Sequence, residues 1–374
     1  MKNLYLLGAI SFFTDMASSM ITTTFPLFLV FVLKNGVDKL GVVIGIATFV
    51  SYFFRVVFGY LSDRYGIKKP FLIVGYVISA ISKPFFYFVT SWKGIAFLRS
   101  LDRFGKALRS APKDSLLSDI KKDKGKVFGF HKMLDVAGEM SGALTAFLIF
   151  YILGTKEEVF REIFLLTLIP GIIAVILTFF LEDRKVAKKI SFDIKEDKSL
   201  IFNLIFITFS LFFVLGDSFF IVKAKESVGI LYVPLFLILM NFIQTVFSYP
   251  IGLIIEKIGF LKVFIFSLFS YLSAICFLKL NNLIFAFVFL GIFLVSFFNS
   301  IRVFISKKAK NRGTVFGMFY FLYALFGGIG SVVLGIIWQK FGFAVVYFYS
   351  FTGILFLIVI NYFRIYRNKI LEGN

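Results

Sequence analysis

The stretch Gly59-Tyr60-Leu61-Ser62-Asp63-Arg64-Tyr65-Gly66-Ile67-Lys68-Lys69 ends an apolar run with an acid, a base and a glycine, and the chain repeats the device 193 residues later. Gly252-Leu253-Ile254-Ile255-Glu256-Lys257-Ile258-Gly259 keeps the glycine spacing and the charge order. A second pair, Gly125-Lys126-Val127-Phe128-Gly129 and Gly313-Thr314-Val315-Phe316-Gly317, is offset by 188 residues. Two matches in one order at nearly one offset point to a duplicated unit. The seam is the longest polar segment, 182–199, with six basic and five acidic residues. The chain therefore divides into a first unit at 1–181, a linker at 182–199 and a second unit at 200–374.

The material of each unit is apolar. Of 374 residues, 59% are hydrophobic and 17% charged, against about 45–50% and about 25% in soluble proteins. So little polar surface cannot cover a water-soluble globule, and lipid must solvate the excess. Breaking the chain at charge clusters, Gly and Pro leaves twelve stretches long enough to span, since a spanning helix takes about 20 residues. They fall at 4–33, 40–61, 70–90, 94–112, 126–153, 162–181, 200–222, 231–254, 262–280, 283–305, 314–338 and 343–363. The expected fold is all-α integral membrane, with twelve transmembrane helices in two pseudo-symmetric six-helix bundles. The first stretch follows Lys2 as an export signal would, but its length, Asp15, Pro26 and the lack of a small-residue cleavage site make it a retained helix. The single Cys276 excludes an intrachain disulfide and a cysteine metal cluster.

The formal charge of +20 would suit a nucleic-acid binder if it lay on a soluble recognition module, and no such module is present. With the N-terminus inside, 26 of the 41 Lys and Arg residues fall in cytoplasmic segments and 9 outside. Basic residues accumulate on the cytoplasmic side, so both termini are expected in the cytoplasm, with the chain in the cytoplasmic (inner) membrane. Cytoplasmic loops this basic should also lie against anionic lipid headgroups.

The Gly59–Lys69 loop resembles the signature between spans two and three of the major facilitator superfamily, departing at Ile67, where that pattern usually has Arg or Lys. The run Arg99-Ser100-Leu101-Asp102-Arg103-Phe104-Gly105-Lys106-Ala107-Leu108-Arg109-Ser110-Ala111-Pro112-Lys113-Asp114, followed by Gly129-Phe130-His131-Lys132-Met133-Leu134-Asp135, is similar to a prokaryotic efflux and metabolite branch of that superfamily. The resemblance implies a midplane cavity that opens alternately to the two sides, lined by spans 1, 4, 7 and 10, with spans 3, 6, 9 and 12 facing lipid. It further implies that Gly59, Asp63, Arg64 and Gly66, with Glu256 and Lys257 in the second copy, latch the two bundles on the inside.

Charges at membrane depth are costly and mark function. Spans 6, 9 and 12 carry none, and span 3 carries only Lys83, where a long side chain can snorkel. The remaining charges sit mostly in the first half: Asp15, Arg55, Arg99, Asp102, Arg103, Lys132, Asp135 and Glu139, against Asp217 and Arg302 in the second. Asp135 and Glu139 lie four apart and share a helix face. Two carboxylates there cannot both ionise cheaply without a cation, and Arg99 and Arg103 on the neighbouring span are the expected partners. This cluster, with Asp15 and Asp102, is the expected proton-coupling site. Asp217 is a second proton or cation site, an external gate, or a helix-end residue paired with Lys223. Asn241, Gln244 and Asn299 are candidates for hydrogen bonds to a solute.

These features point to a secondary transporter of a small amphipathic organic solute, proton-coupled, antiporting and monomeric, and the resemblance implies a slight inclination to export, since a glycine-rich span 5 is associated with exporters in that superfamily. No cofactor is expected. No phosphate-binding loop for ATP is present, and the lone His131 has no His or Cys at ligand spacing, so neither an enzyme nor a primary pump is expected. The alternative is a divalent-cation exporter using Asp15 and Asp217, since carboxylate oxygens suit hard cations.

Overall fold

The structure, a computed structural model, describes residues 2–118, 124–182, 197–310 and 312–372. Among them there is no strand. Long apolar runs leave no water to satisfy backbone polar groups, and a helix satisfies them internally. Nine stretches are long and apolar enough to cross a membrane. Two of these hold two spans each, because the chain turns back at Gly229 (φ 74°) and Gly342 (φ 81°). A left-handed backbone at a tight reversal is where glycine is needed. One further helix, Trp92–Ser118, is too charged to be counted by hydropathy.

The twelve helices are α1 Lys2–Val32, α2 Val37–Tyr65, α3 Lys69–Phe88, α4 Trp92–Ser118, α5 Lys124–Leu153 and α6 Glu157–Phe179. They continue as α7 at 198–228, α8 at 230–258, α9 Phe260–Lys279, α10 Leu283–Lys308, α11 at 312–341 and α12 at 343–372. Every expected span overlaps one of them. The linker expected at 182–199 lies mostly outside the described residues, which resume at Asp197.

In the first half α1 packs on α5 and α6, and α4 on α2 and α3. The α1–α5 approach is close, since a Cβ at Gly138 would lie 2.3 Å from the Phe12 carbonyl oxygen and one at Gly142 2.2 Å from that of Met16. Small residues let membrane helices meet backbone to backbone. Across the halves α2 meets α11 in the same way, with Gly41 against Ser331 and Gly335, and Gly45 against Gly328. This contact lies at the end of the molecule opposite the N-terminus. There the Val37 N–H donates to Gln339 Oε1 at 2.9 Å, and Phe28, Phe219 and Trp338 are buried in one cluster. At the N-terminal end the halves separate, and a Cβ added at Gly252 would meet nothing.

Helix α7 is not continuous. A 3-10 turn at Ser210–Phe213 leads into an extended Val214 (φ −92°, ψ 117°), and the helix restarts at Asp217. The buried Tyr271 hydroxyl of α9 accepts from the Leu215 N–H at 2.8 Å and bonds Ser350 Oγ of α12 at 2.7 Å. Ser350 in turn donates to the Phe213 carbonyl. Unwound backbone at membrane depth requires such partners inside the protein.

Candidate functional site

Between the halves lies a cavity of about 420 Å³, continuous with a vestibule of about 930 Å³. Tyr52, Arg55, Glu139, Asn241, Gln244, Leu294 and Phe298 line both. The vestibule opens between the N-terminal part of α5 (Lys132, Met133), the C-terminal parts of α8 (Tyr249, Glu256) and α10 (Arg302), and the start of α11 (Tyr320). These are all ends on the N-terminal side of the molecule. Tyr249, 75% exposed, stands at its mouth. The opposite end is sealed by the α2–α11 contact and the apolar cluster.

The lining departs from the expected helices. Helices α1, α4, α7 and α10 contribute, but so do α2, α5, α8 and α11, while α3, α6, α9 and α12 contribute nothing. Large apolar side chains of α6 and α12, among them Ile169, Ile176, Phe348 and Phe356, are exposed, as lipid-facing residues must be.

The structure brings Asp15, Arg99, Arg103, Glu139, Asp217, Asn241 and Gln244 into the central cavity. Asn299 lines the vestibule and donates to the Ser248 carbonyl at 3.3 Å, and Gln244 donates to Asn241 Oδ1 at 3.3 Å. Asp102 lies behind the wall, 2% exposed, and takes the partners expected for others. Arg103 (3.2 Å), Lys83 (3.3 Å) and Arg99 (3.6 Å) all approach its carboxylate, and Ser79 Oγ donates to it at 2.5 Å. The expected pairing of Arg99 and Arg103 with Asp135 and Glu139 is therefore absent, because Asp102 on the same helix lies within reach of both. Lys83 does not snorkel outward. It is 1% exposed and faces α4, since an interior carboxylate holds an ammonium better than a distant interface does.

Asp135 sits apart, in a side chamber of about 120 Å³ between α1, α4 and α5. His131 Nδ1 lies 3.4 Å and Lys113 Nζ 3.9 Å from its Oδ1, and Ser11 Oγ bonds His131 Nε2 at 2.9 Å. Asp15, Glu139 and Lys106 line this chamber as well as the main cavity, so they stand in the wall between the two. Neither Asp15 nor Glu139 has an ion pair or hydrogen bond to a described residue. Lys106, Arg109 and Lys113 belong to α4, which stays helical to Ser118, six residues beyond the expected end of the span at 112. Arg109 is buried with its guanidinium 4.7 Å from the Tyr76 ring.

Asp217 occupies the first turn of the restarted α7, where a carboxylate is favoured by the helix dipole, and its Oδ1 accepts from the Ser218 N–H at 2.7 Å. Lys223 pairs with Glu226, three residues on, and not with Asp217. Of the expected latch, Arg64 and Lys257 are exposed, Gly59 packs on Ala111, and Glu256 lines the vestibule. The Asp63 side chain lies outside the described set.

Sequence reading passed over the α2 wall. Thr48, Ser51, Tyr52 and Arg55 line the cavity, and the Arg55 guanidinium lies between the rings of Tyr52 (5.0 Å) and Tyr320 (4.9 Å). The signal was present, since the α2 residues recur at helical spacing inside an apolar run.

A charged chamber between two sets of membrane-spanning helices, sealed at one end and open at the other, defines a solute transporter, not an enzyme. Residues 7–241 match a family model of the Major Facilitator Superfamily. An uncharacterized MFS-type transporter of Methanocaldococcus jannaschii is 30% identical over 357 residues, 90% of this chain and 89% of that one. An uncharacterized protein of Mycobacterium tuberculosis is 33% identical over 108 residues, 28% of this chain and 26% of that one. Among solved structures, a mutant of the nucleoside transporter NupG superposes with a TM-score of 0.82 at 16% identity, covering 96% of this chain and 98% of that one. A bacterial homolog of the human lysosomal transporter Spinster, inward-facing and unoccupied, gives 0.70 at 13% identity, covering 96% and 93%. The chain belongs to the major facilitator superfamily and is a multi-pass membrane transporter.

Proposed function

We propose that the chain moves a small amphipathic organic solute by alternating access, coupled to protons, with units 1–181 and 200–374 rocking about the cavity between them. The observation that carries this reading is the placement of Asp15 and Glu139. Both face a polar cavity near the middle of the helices, open at one end, with cations nearby but no bonded partner. The open cavity gives solvent a way to both groups, and the side chamber offers a polar path behind them.

The bias of basic residues puts both termini in the cytoplasm, which makes this an inward-facing state in the inner membrane. Export is the proposed direction, on the association of a glycine-rich span 5 with exporters in this superfamily. A divalent cation has less support as cargo, since the carboxylates of the cavity share it with Arg55, Arg99, Arg103 and Lys106.

Proteoliposomes loaded with a pH-sensitive dye and challenged with a panel of amphipathic solutes under an imposed pH gradient test the reading. Wild type should move protons with solute, and Asp15→Asn and Glu139→Gln should lose gradient-driven movement while keeping solute exchange. Full gradient-driven transport in both variants would overturn the coupling.

A further inference from the structure

The positive charge around the central cavity exceeds the negative charge that answers it. Lys83, Arg99 and Arg103 converge on the single carboxylate of Asp102. This buried group carries a formal +2. Arg55 and Lys106 add two more cations to the same cavity, and the facing carboxylates are Asp15, Glu139 and Asp217. Even with every one of these ionised, one positive charge is left over.

Part of this charge is incompletely hydrogen-bonded. Arg55 Nε, Arg99 Nη1 and Arg103 Nε are buried and have no hydrogen-bond partner among the described residues. Arg99 spends one nitrogen on Thr22 Oγ1 at 3.0 Å, and its Nη1 reaches Asp102 only at 3.6 Å. Arg55 has two aromatic faces and a side-chain hydrogen bond with Tyr320; Asp114 acts on it from farther off, and no carboxylate among the described residues is within salt-bridge distance. Ring faces attract a guanidinium but do not supply the paired oxygens to which its planar fork can donate. A guanidinium keeps its charge at any physiological pH, so the group that answers it must come from outside.

The walls also describe the rest of that molecule. Phe298 and Tyr323 of the second half, Tyr52 of α2 and Tyr320 form a run of rings, with centroids 5.7 Å, 4.2 Å and 5.8 Å apart in that order. The run passes beside Arg55 and borders the cavity and vestibule. A planar body can lie against it while its charged end meets the guanidinium groups.

We infer that the cavity takes an organic anion, a carboxylate or phosphate ester on a planar apolar body, with Arg55 as the anchor for its charged group; this rests on reading the cavity as the transport site. The anion enters from the vestibule, pairs first with Arg55 at the neck, and meets the field of Arg99 and Arg103 deeper in. A bidentate oxyanion suits the planar fork of a guanidinium.

The test uses the purified full-length protein in detergent, with benzoate, phenyl phosphate, benzamide and benzylamine compared at one ionic strength by thermal stabilisation and titration calorimetry. Benzoate or phenyl phosphate should bind at least about tenfold more tightly than benzamide, and benzylamine should not stabilise. Arg55→Gln should lose the preference and melt close to wild type, because the residue it removes has no salt-bridge partner among the described residues. Lys106→Gln, a second variant beside the same carboxylates, should weaken the anions by a smaller factor. Equal binding of benzamide or benzylamine, no stabilisation by either anion, or a preference that survives Arg55→Gln would overturn the inference. No pH gradient enters the measurement, so a failure of proton coupling leaves this outcome readable by itself.

Discussion

The two walls of the cavity are made of different chemistry although each is carried by a set of six helices. The first half presents Asp15, Arg55, Arg99, Arg103, Lys106 and Glu139, with Asp102 and Lys83 behind them. The second presents Asn241, Gln244, Phe298 and Tyr323, with Asp217 as its one acid in the central cavity. Charges at this depth need partners, and partners need a compact interior. The first half supplies it through the backbone contact of Gly138 and Gly142 with α1. The second half fills its interior with aromatic side chains such as Phe264, Tyr271 and Phe287. On the functional reading, the first wall handles charge and the second handles shape.

The comparison breaks most readily at Asp102. Asp102→Asn should destabilise the protein by about 3–5 kcal/mol, because it leaves three buried cations without an anion. Thermal unfolding in detergent measures this, and Asp102→Asn with Lys83→Met should recover part of the loss. A single variant that melts like wild type would show that the cluster does not hold the first half together.

The two ends of the cavity offer the next contrast. Gly41→Val places bulk against the Ser331 carbonyl and should cost the sealed end about 1–3 kcal/mol. The population should then shift toward the opposite state. A cysteine at Thr48, in a Cys276→Ser background, should gain reactivity toward an impermeant thiol reagent from the side now closed. Gly252→Val, at the open end, should leave that labelling unchanged.

Within the second half, Tyr271→Phe removes the acceptor of the Leu215 N–H and should cost about 1–3 kcal/mol, read from the melting temperature. An unchanged melt would mean that the α7 break stands without its α9 partner. The smallest effects belong to the neutral wall. Asn241→Ala and Gln244→Ala should each weaken solute affinity by about 0.5–1.5 kcal/mol, seen as a few-fold rise in KM with proton coupling intact. Loss of coupling in either would move part of the charge handling into the second half.

Much of this was legible in the residues alone. Twelve apolar runs define the spans, because hydropathy and helix periodicity are local properties. Five of the seven residues expected at the charged site face the central cavity, since costly charges are retained where a cavity uses them. Pairing was less legible. Arg99 and Arg103 were assigned to Asp135 and Glu139 on the neighbouring span, whereas Asp102 on their own helix draws both guanidinium groups and also reaches Lys83 on α3. Arg55 was noted as a buried charge but not as part of the site, because its importance comes from Tyr320, more than two hundred residues away.

The sequence by itself determined that this chain is a stack of membrane helices in two related sets and which residues carry charge into the bilayer. Only the tertiary structure decided which of those charges neutralise one another and which are left facing the cavity. The first follows from the free energy of moving each side chain into lipid, a sum over single residues. The second depends on distances of a few ångströms between helices whose relative rotation no local pattern specifies.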